Sequence, residues 1–248
     1  MAALTVSQDE VKRLKGLGFL NNKGTDNFSA RVITVNGRVT SEKIRCLAEA
    51  ADKFGNGHVL FTTRLTAEVP GIPYEKTEEF CRFIAGAGME TGGTGPRVRP
   101  VVSCKGTTCQ YGQLDSYAIS QEVHERFYVG YHYVVLPHKF KIAVGGCPNN
   151  CVKPNLNDVG IMGWRKGYKI FLGGRWGRDH AIGKPMSKIF TDKEEMLNTV
   201  EKAILLFKDQ GQPGERFSAT IERLGFEQVE AQLLSDDLLN RKEEILAK

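Results

Sequence analysis

Residues 136–151, which read LPHKFKIAVGGCPNNC, decide the fold of the second half of this chain. Apolar side chains alternate there with their neighbours at a period of two residues, which predicts a β-strand. The apolar positions are Phe140, Ile142 and Val144. The alternation puts Lys139 and Lys141 on one face of the predicted strand. Two glycines and a proline then predict a tight turn at its end.

Four of the six cysteines form two close pairs. Cys147 and Cys151 lie in the predicted turn with three residues between them, and Cys104 and Cys109 lie upstream with four residues between them. Such pairs on tight turns suit a thiolate-ligated iron–sulfur cluster. A structural zinc site is the alternative, although zinc sites commonly have two residues between paired cysteines.

The composition is that of an ordinary globular protein, with 248 residues, 41% hydrophobic, 25% charged and a formal charge of +5. We expect no membrane segment, because no run of about 18 apolar residues occurs. The first ten residues lack the features of a secretory signal, so we expect a cytoplasmic protein whose cysteines are ligands or buried thiols. The scattered basic residues argue against a nucleic-acid surface and favour a small anionic ligand.

Hydrophobic periodicity divides the chain into an N-terminal and a C-terminal region. In the N-terminal region a pair of strands alternates with a pair of helices, which is the pattern of a small α/β half-domain. These elements are predicted over residues 28–35, 40–54, 58–69 and 74–85. The glycine-rich run at residues 85–95 predicts a linker.

The C-terminal region contains the four paired cysteines, more strands and a helical end. Beside the strand at residues 136–151, the pattern predicts a strand over residues 97–104 and a helix over residues 114–127. Paired strands are predicted over residues 158–163 and 168–172, and helices over residues 191–208, 215–224 and 228–247. A glycine-rich loop that carries Arg175 and Arg178 follows the paired strands.

Three motifs closely resemble the sirohaem nitrite and sulfite reductase family: GGCPNNC at residues 145–151, LPHKFK before it and GERF at residues 214–217. The resemblance extends from about residue 28 to about residue 225. It implies an α+β fold with α/β sandwich-like layers, in a single repeat like the compact, low-molecular-weight assimilatory-type branch. It also implies a ferredoxin-like half-domain over residues 1–92 and a sirohaem and iron–sulfur catalytic domain over residues 93–248.

The resemblance implies two cofactors, a 4Fe-4S cluster and sirohaem. The implied cluster ligands are Cys104, Cys109, Cys147 and Cys151. The last of these cysteines would also bridge the cluster to the sirohaem iron. One feature departs from the family pattern, because the family usually has five residues between the first two cysteines and this chain has four.

The family uses two arginines and two lysines to bind and polarise its anionic substrate. The matching catalytic residues here are Arg31, Arg99, Lys139 and Lys141. Arg64 matches a family position that binds sirohaem carboxylates. The other expected cofactor-binding residues are Thr63, Arg97, Asn149, Asn150, Arg175 and Arg178. Lysines that alternate on a strand are otherwise usually its solvated face, and arginines on strands are often surface charges.

Three functions remain in view. The first is a six-electron reduction of sulfite to sulfide or of nitrite to ammonia. The second is an electron-transfer or regulatory subunit that holds both cofactors in a larger redox complex, and the third is a zinc-stabilised binding module. No dinucleotide-binding fingerprint follows a predicted strand, so the donor of electrons would be an external ferredoxin or reductase subunit. A homo-oligomer is also possible.

Overall fold

The computed structural model of the protein describes residues 6–248 as two compact units. The N-terminal unit ends at Gly95, and the C-terminal unit extends from Pro96 to Lys248. Each unit combines one sheet with helices, so the fold class is α+β. Within the described range, no helix is both long enough and apolar enough to cross a membrane.

An antiparallel sheet and helices build the N-terminal unit. Its elements are α1 (Gln8–Gly16), β1 (Phe19–Asn21), β2 (Asn27–Val32), α2 (Ser41–Phe54), β3 (Leu60–Phe61), β4 (Ala67–Pro73) and α3 (Thr77–Ala85). The strand order is β1–β2–β4–β3. Aromatic side chains fill its core, where the Phe80 ring contacts the rings of Phe19 and Phe54 edge-on with centroids 6.1 and 5.9 Å apart.

The predicted strand at residues 58–69 is wrong, because the chain folds back there as a hairpin of β3 and β4. The Thr62 hydroxyl accepts the backbone N–H groups of Arg64 and Thr66, which stabilises a turn in place of a strand. Leu65 adopts a positive φ of 59° in this turn. Thr63 and Arg64 therefore lie in a hairpin turn.

Part of the predicted linker at residues 85–95 forms backbone hydrogen bonds with residues in and next to β2. The backbone N–H of Gly92 donates to the carbonyl of Arg31 at 3.0 Å, and the N–H of Ile33 donates to the carbonyl of Glu90 at 2.9 Å. Thr91 forms an isolated bridge with Val32. The sequence pattern missed this pairing because glycine-rich segments usually indicate loops.

A five-stranded mixed sheet forms the centre of the C-terminal unit. Its strands are β5 (Val102–Ser103), β6 (Ile142–Gly145), β7 (Val159–Trp164), β8 (Gly167–Leu172) and β9 (Lys184–Phe190), in that order across the sheet. Strands β5, β6 and β7 are parallel, while β8 and β9 pair antiparallel. Strand β6 is buried along its whole length, as expected for a central parallel strand.

Helices complete this unit. They are α4 (Ser116–Val123), α5 (Lys193–Gln210), α6 (Phe217–Leu224), α7 (Phe226–Leu234), α8 (Asp237–Asn240) and α9 (Lys242–Ala247). The single helix predicted over residues 228–247 is therefore wrong. Helix α7 ends at Leu234, directly before the polar pair Ser235 and Asp236, and Lys202 Nζ of α5 donates to the Asp236 carboxylate at 2.9 Å. Asp192 caps α5 by accepting the N–H of Glu195.

The strand predicted before the cysteine turn is shorter than the alternation suggests, because a buried carboxylate interrupts it. The backbone N–H of Lys141 donates to Asp158 Oδ2 at 2.8 Å. The same carboxylate accepts Arg216 Nη2 through both oxygens at 3.0 Å. The Asp158 side chain is completely buried, and that of Arg216 is 6% exposed. Burial raises the pKa of Asp158, whereas the Arg216 guanidinium acts to lower it.

We expect Asp158→Asn to lower the free energy of unfolding by about 3–5 kcal/mol, because it leaves the buried guanidinium of Arg216 without its counter-charge. The matched control is Glu244→Gln, which removes exposed ion pairs with Arg241 and Lys248 and should leave the free energy of unfolding almost unchanged. Denaturant unfolding of both variants measures the difference. Equal losses in the two variants would contradict a structural role for the buried pair.

Candidate functional site

Two of the predicted cluster ligands follow neighbouring parallel strands. Cys104 comes directly after β5, and Cys147 comes two residues after the end of β6. Ser103 pairs with Val144, and the backbone N–H of Cys104 donates to the Val144 carbonyl at 3.2 Å. Parallel strands end at the same edge of a sheet, so both cysteines lie at one edge.

Two glycines bring the cysteine loops into backbone contact. A Cβ atom on Gly146 would lie 2.8 Å from the Cα of Gly106 and 3.3 Å from Cys104 Sγ. A Cβ atom on Gly106 would in turn lie 2.9 Å from the Cα of Gly146. Only glycine fits at such distances, so the close approach requires both residues. The Gly146 N–H donates to Cys104 Sγ at 3.1 Å, which ties the first cysteine to the second loop.

The other two cysteines lie in the same two loops. The backbone N–H of Cys109 donates to the Gly106 carbonyl at 3.3 Å. Cys151 ends the turn in which Asn150 adopts a positive φ of 56° and donates its backbone N–H to the Cys147 carbonyl. Cys151 is exposed and the other three cysteines are half-buried, and none of the four is in a disulfide. We call this side of the sheet the cysteine edge.

The donor set at the cysteine edge fits an iron–sulfur cluster. It consists of four thiols on two loops, with a backbone N–H aimed at one sulfur, and such hydrogen bonds tune cluster potentials. Between residues 6 and 248, no three His, Cys, Asp or Glu side chains lie close enough to hold one metal ion. A cluster places its cysteines further apart than a single ion does, because each cysteine binds a different iron. Asn150 Oδ1 is buried beside this turn and has no hydrogen-bond partner among the residues that the structure describes.

A group of cations lies where β6 and β7 begin. Lys139 precedes β6, and its pKa is lowered by burial and by the charges of Arg216, Arg99 and Arg175. The backbone N–H of Arg99 donates to the Phe140 carbonyl at 2.8 Å. Arg175 follows β8, whose last residue pairs with the first residue of β7. These positions place the four cations at one edge of the sheet, which we call the cation edge.

Lys141 also lies at the cation edge. Its carbonyl accepts the N–H of Val159, and its Nζ is 3.5 Å from the carbonyl of Trp176 in the loop after β8. His138, next to Lys139, accepts that lysine's backbone N–H at 2.7 Å through Nδ1. Burial, and then the neighbouring cations led by Arg216, lower the pKa of His138. The cation edge therefore suits an anion rich in oxygen, such as an inorganic oxyanion or a carboxylate.

The cation edge and the cysteine edge are opposite edges of the sheet. Lysines 139 and 141 stand before β6, and Cys147 stands after it. The length of β6 separates the lysines from Cys147, which the alternation along the predicted strand does not show. At roughly 3.3 Å per residue, this four-residue strand is about 13 Å long.

Four predicted cofactor-binding residues lie outside both groups or at their margins. Arg97 donates through Nη1 to the carbonyl of His132 at 3.2 Å. Arg178 is exposed, as is Asn149 in the cysteine turn. Asn150 donates through Nδ2 to Asn155 Oδ1 at 2.9 Å, which stabilises the chain after the cysteines.

The predicted residues of the N-terminal unit have local partners. Arg31 on β2 bonds Glu68 on β4 through Nε at 2.8 Å and Nη2 at 2.6 Å, and it bonds the Gly93 carbonyl through Nη1 at 3.2 Å. These contacts use three of the five N–H donors of the guanidinium. Thr63 is exposed and Arg64 half-buried in the hairpin turn.

Sequence reasoning missed three residues of the cation edge, namely His138, Asp158 and Arg216. Two of them stand inside quoted motifs, since His138 belongs to LPHKFK and Arg216 to GERF. Their positions in those motifs could have identified them as candidate site residues. The sequence carried no comparable signal for Asp158, because a single acidic residue before a strand is commonly a solvated loop residue.

Comparison with known proteins identifies both units. The family model of the nitrite and sulphite reductase 4Fe-4S domain matches residues 94–242, which is more than half of the chain. The model of the nitrite/sulfite reductase ferredoxin-like half domain matches residues 21–85. The ferredoxin-like half-domain and the cluster domain therefore occur in the order that the sequence motifs predict.

Individual proteins agree with this result. The chain is 32% identical over 139 residues to an assimilatory-type sulfite reductase of Nitratidesulfovibrio vulgaris, covering 55% of this chain and 61% of that protein. It is 28% identical over 199 residues to a nitrite reductase (NAD(P)H) of Bacillus subtilis, covering 79% of this chain and 24% of that protein. The chain thus spans less than two thirds of either relative.

A solved structure confirms the fold. The NirA protein of Mycobacterium tuberculosis superposes with a TM-score of 0.79 at 18% identity, and the match covers 93% of this chain and 48% of that one. The four-thiol donor set agrees with the cluster named in the matched domain, and the cation edge agrees with a carboxylate-rich macrocycle. The chain therefore belongs to the nitrite and sulphite reductase family, a family of oxidoreductases, and this membership implies a 4Fe-4S cluster and sirohaem as its cofactors.

Proposed function

We propose that this chain is a sirohaem-dependent reductase that carries out the six-electron reduction of sulfite to sulfide or of nitrite to ammonia. The observation that carries the proposal is the contact of the two cysteine loops through Gly106 and Gly146, within the domain that matches the 4Fe-4S family model. Relatives named for each reaction, a sulfite reductase and a nitrite reductase, support the reaction class.

Four cysteines would hold the cluster, with Cys151 as its bridge to the sirohaem. Cys151 is the most accessible of the four, which suits a ligand shared with a second cofactor. When bound, the two cofactors would supply the redox chemistry. The candidates for the sirohaem carboxylates are Arg64, Arg97, Arg175 and Arg178, and the other candidate cofactor-binding residues are Thr63, Asn149 and Asn150.

The substrate anion would bind to arginine and lysine side chains. Sulfite and nitrite both carry negative charge on oxygen, and fixed cations stabilise this charge and polarise the bonds that must break. We assign this role to Arg31, Arg99, Lys139 and Lys141. Glu68 fixes the guanidinium of Arg31, and Asp158 fixes the backbone of Lys141. The lowered pKa of Lys139 makes its ammonium a better proton donor than an ordinary lysine.

Electrons would come from outside the chain, from a ferredoxin or a reductase subunit. The strand-to-helix turns carry no glycine fingerprint for a dinucleotide. The second candidate function, an electron-transfer or regulatory subunit, would keep both cofactors and lack turnover.

Turnover by the isolated protein separates the two candidates. Anaerobically purified protein with a reduced artificial dye as donor should consume sulfite or nitrite and oxidise about six equivalents of dye per product. The measurement is dye absorbance together with sulfide or ammonia in the same samples. Protein that has both cofactors and reduces neither anion would contradict the reductase and favour the electron-transfer subunit.

The lysines test the anion site separately. We expect Lys139→Met and Lys141→Met to retain both cofactors and to lose on the order of a hundredfold in turnover, because one positioned charge is removed from the reacting anion. Lys141→Arg should also be slow, since a flat guanidinium does not replace a compact ammonium. Steady-state rates and visible spectra of the variants measure both properties.

The matched control for these variants is Lys12→Met, which removes an exposed lysine from α1. Its rate and spectrum should equal those of the wild type. Full activity of both lysine variants towards both anions would show that these lysines are only a solvated surface.

A further inference from the structure

The proposed function leaves His138 of the cation edge without a role. This histidine lies in the segment before β6, which backbone hydrogen bonds hold on two sides. The N–H of Gly214, shortly before α6, donates to the Pro137 carbonyl at 3.0 Å. The N–H of Arg99 donates to the Phe140 carbonyl at 2.8 Å. His138 therefore stands between the segment that contains Arg99 and the segment that leads into α6.

One hydrogen bond assigns the proton of the neutral imidazole of His138. Its Nδ1 accepts the backbone N–H of Lys139 at 2.7 Å. A backbone amide nitrogen only donates, so Nδ1 must carry a lone pair, and the proton of the neutral ring is on Nε2. A second proton would enter at Nδ1 and would break the hydrogen bond to Lys139. The contact therefore favours the neutral ring, with Nε2–H as its donor.

The charges around His138 favour the same neutral form. Burial lowers its pKa, and four cations from neighbouring segments lower it further, namely Arg216, Lys139, Arg99 and Arg175. The carboxylate at this edge is Asp158, which accepts Arg216 Nη2 and the backbone N–H of Lys141. Lys141 brings a further ammonium to the same edge. An imidazolium would therefore add positive charge to a cationic cluster whose acid is already paired.

The Nε2–H group of His138 is available to a ligand. Among the residues that the structure describes, none accepts a hydrogen bond from it. The side chain is half-buried, and Nε2 is not one of the unpaired polar atoms that are sealed from solvent. A donor that has no partner in this part of the chain and lies among cations suits an oxygen atom of an anion.

We propose that the neutral side chain of His138 donates a hydrogen bond from Nε2 to an oxygen atom of the sulfite or nitrite bound at the cation edge. This inference rests on the proposed function and adds a residue to its anion site. A neutral imidazole is a hydrogen-bond donor but a very weak acid, so His138 orients the anion and does not protonate it. Proton donation stays with the ammonium of Lys139.

Two amide variants separate this role from the structural role of Nδ1. His138→Asn keeps an oxygen near the position of Nδ1 that can accept the Lys139 N–H, and it removes the donor at Nε2. His138→Gln keeps an N–H donor near the position of Nε2 and removes the acceptor. We expect kcat/KM for sulfite or nitrite to fall on the order of a hundredfold in His138→Asn, because one donor to the reacting anion is lost. His138→Gln should keep most of the wild-type rate.

Visible spectra and iron content show whether both variants retain the cofactors. The matched control is His58→Asn, the same change at an exposed histidine of the N-terminal unit, which should leave rate and spectrum unchanged. A wild-type rate in His138→Asn would overturn the proposal, and so would equal losses in His138→Asn and His138→Gln. Loss of sirohaem from His138→Asn would also overturn it, because the side chain would then bind the cofactor and not the substrate.

The protonation state of His138 gives a second readout that does not depend on turnover. Deuterium exchange at the carbon between the two ring nitrogens, followed by mass spectrometry of peptides, reports the pKa of a histidine in the holoprotein. The exchange at His138 should titrate at a lower pH in the wild-type holoprotein than in an unfolded peptide of the same sequence. A pKa at or above that of the peptide would overturn the proposal, because an imidazolium would then form at the cation edge.

Failure of the proposed function gives a different result from failure of this inference. Wild-type protein that holds both cofactors and reduces neither anion would refute the reductase, and the role of His138 in its anion site with it. An active wild type whose His138→Asn variant is equally fast would refute only the role of His138.

Discussion

The close approach of Gly106 and Gly146 is the constraint on which the cysteine edge depends. Strands β5 and β6 deliver two loops to the same place, but a side chain at either glycine would hold the loops apart. Their contact lets the Gly146 N–H reach Cys104 Sγ, and the N–H of Gln113 then bonds the Gly146 carbonyl at 2.8 Å. Backbone packing therefore places side by side two loops whose cysteines are 38 residues apart in sequence, from Cys109 to Cys147.

The opposite edge is organised by a buried carboxylate. Asp158 holds the backbone of Lys141 and the guanidinium of Arg216, so one charged group fixes both the lysine segment and the start of α6. Removing such an ion pair from water costs desolvation free energy, so a buried pair adds little net stability. Positioning of charge therefore explains this pair better than stability alone. The electrostatic consequence appears at Lys139, whose pKa is lowered by burial and then by Arg216 as the leading charged neighbour.

The sequence predicted the matched family, the cluster domain and the paired strands β7 and β8, because motifs and period-two alternation are local signals. It failed where local signals compete with tertiary contacts. The Thr62 hydroxyl turned a predicted strand into a hairpin, and residues in the predicted linker pair with β2. The sequence pattern could not predict the distance of Lys141 from Cys147 either. Alternation shows on which face of a strand a side chain lies, but it does not show at which edge of the sheet the residue lies. The roles assigned to individual site residues remain predictions.

The account depends most directly on the four cysteines holding one iron–sulfur cluster beside sirohaem. The decisive measurement is iron, zinc and acid-labile sulfide per chain in anaerobically purified wild type, Gly146→Ala and Gly177→Ala. The wild type and Gly177→Ala, whose added Cβ would meet only a carbonyl oxygen at 4.0 Å, should contain about five irons and four sulfides per chain. Gly146→Ala should lose most of both, because its Cβ would lie 2.8 Å from Gly106 Cα. Stoichiometric zinc without sulfide in the wild type would contradict the account.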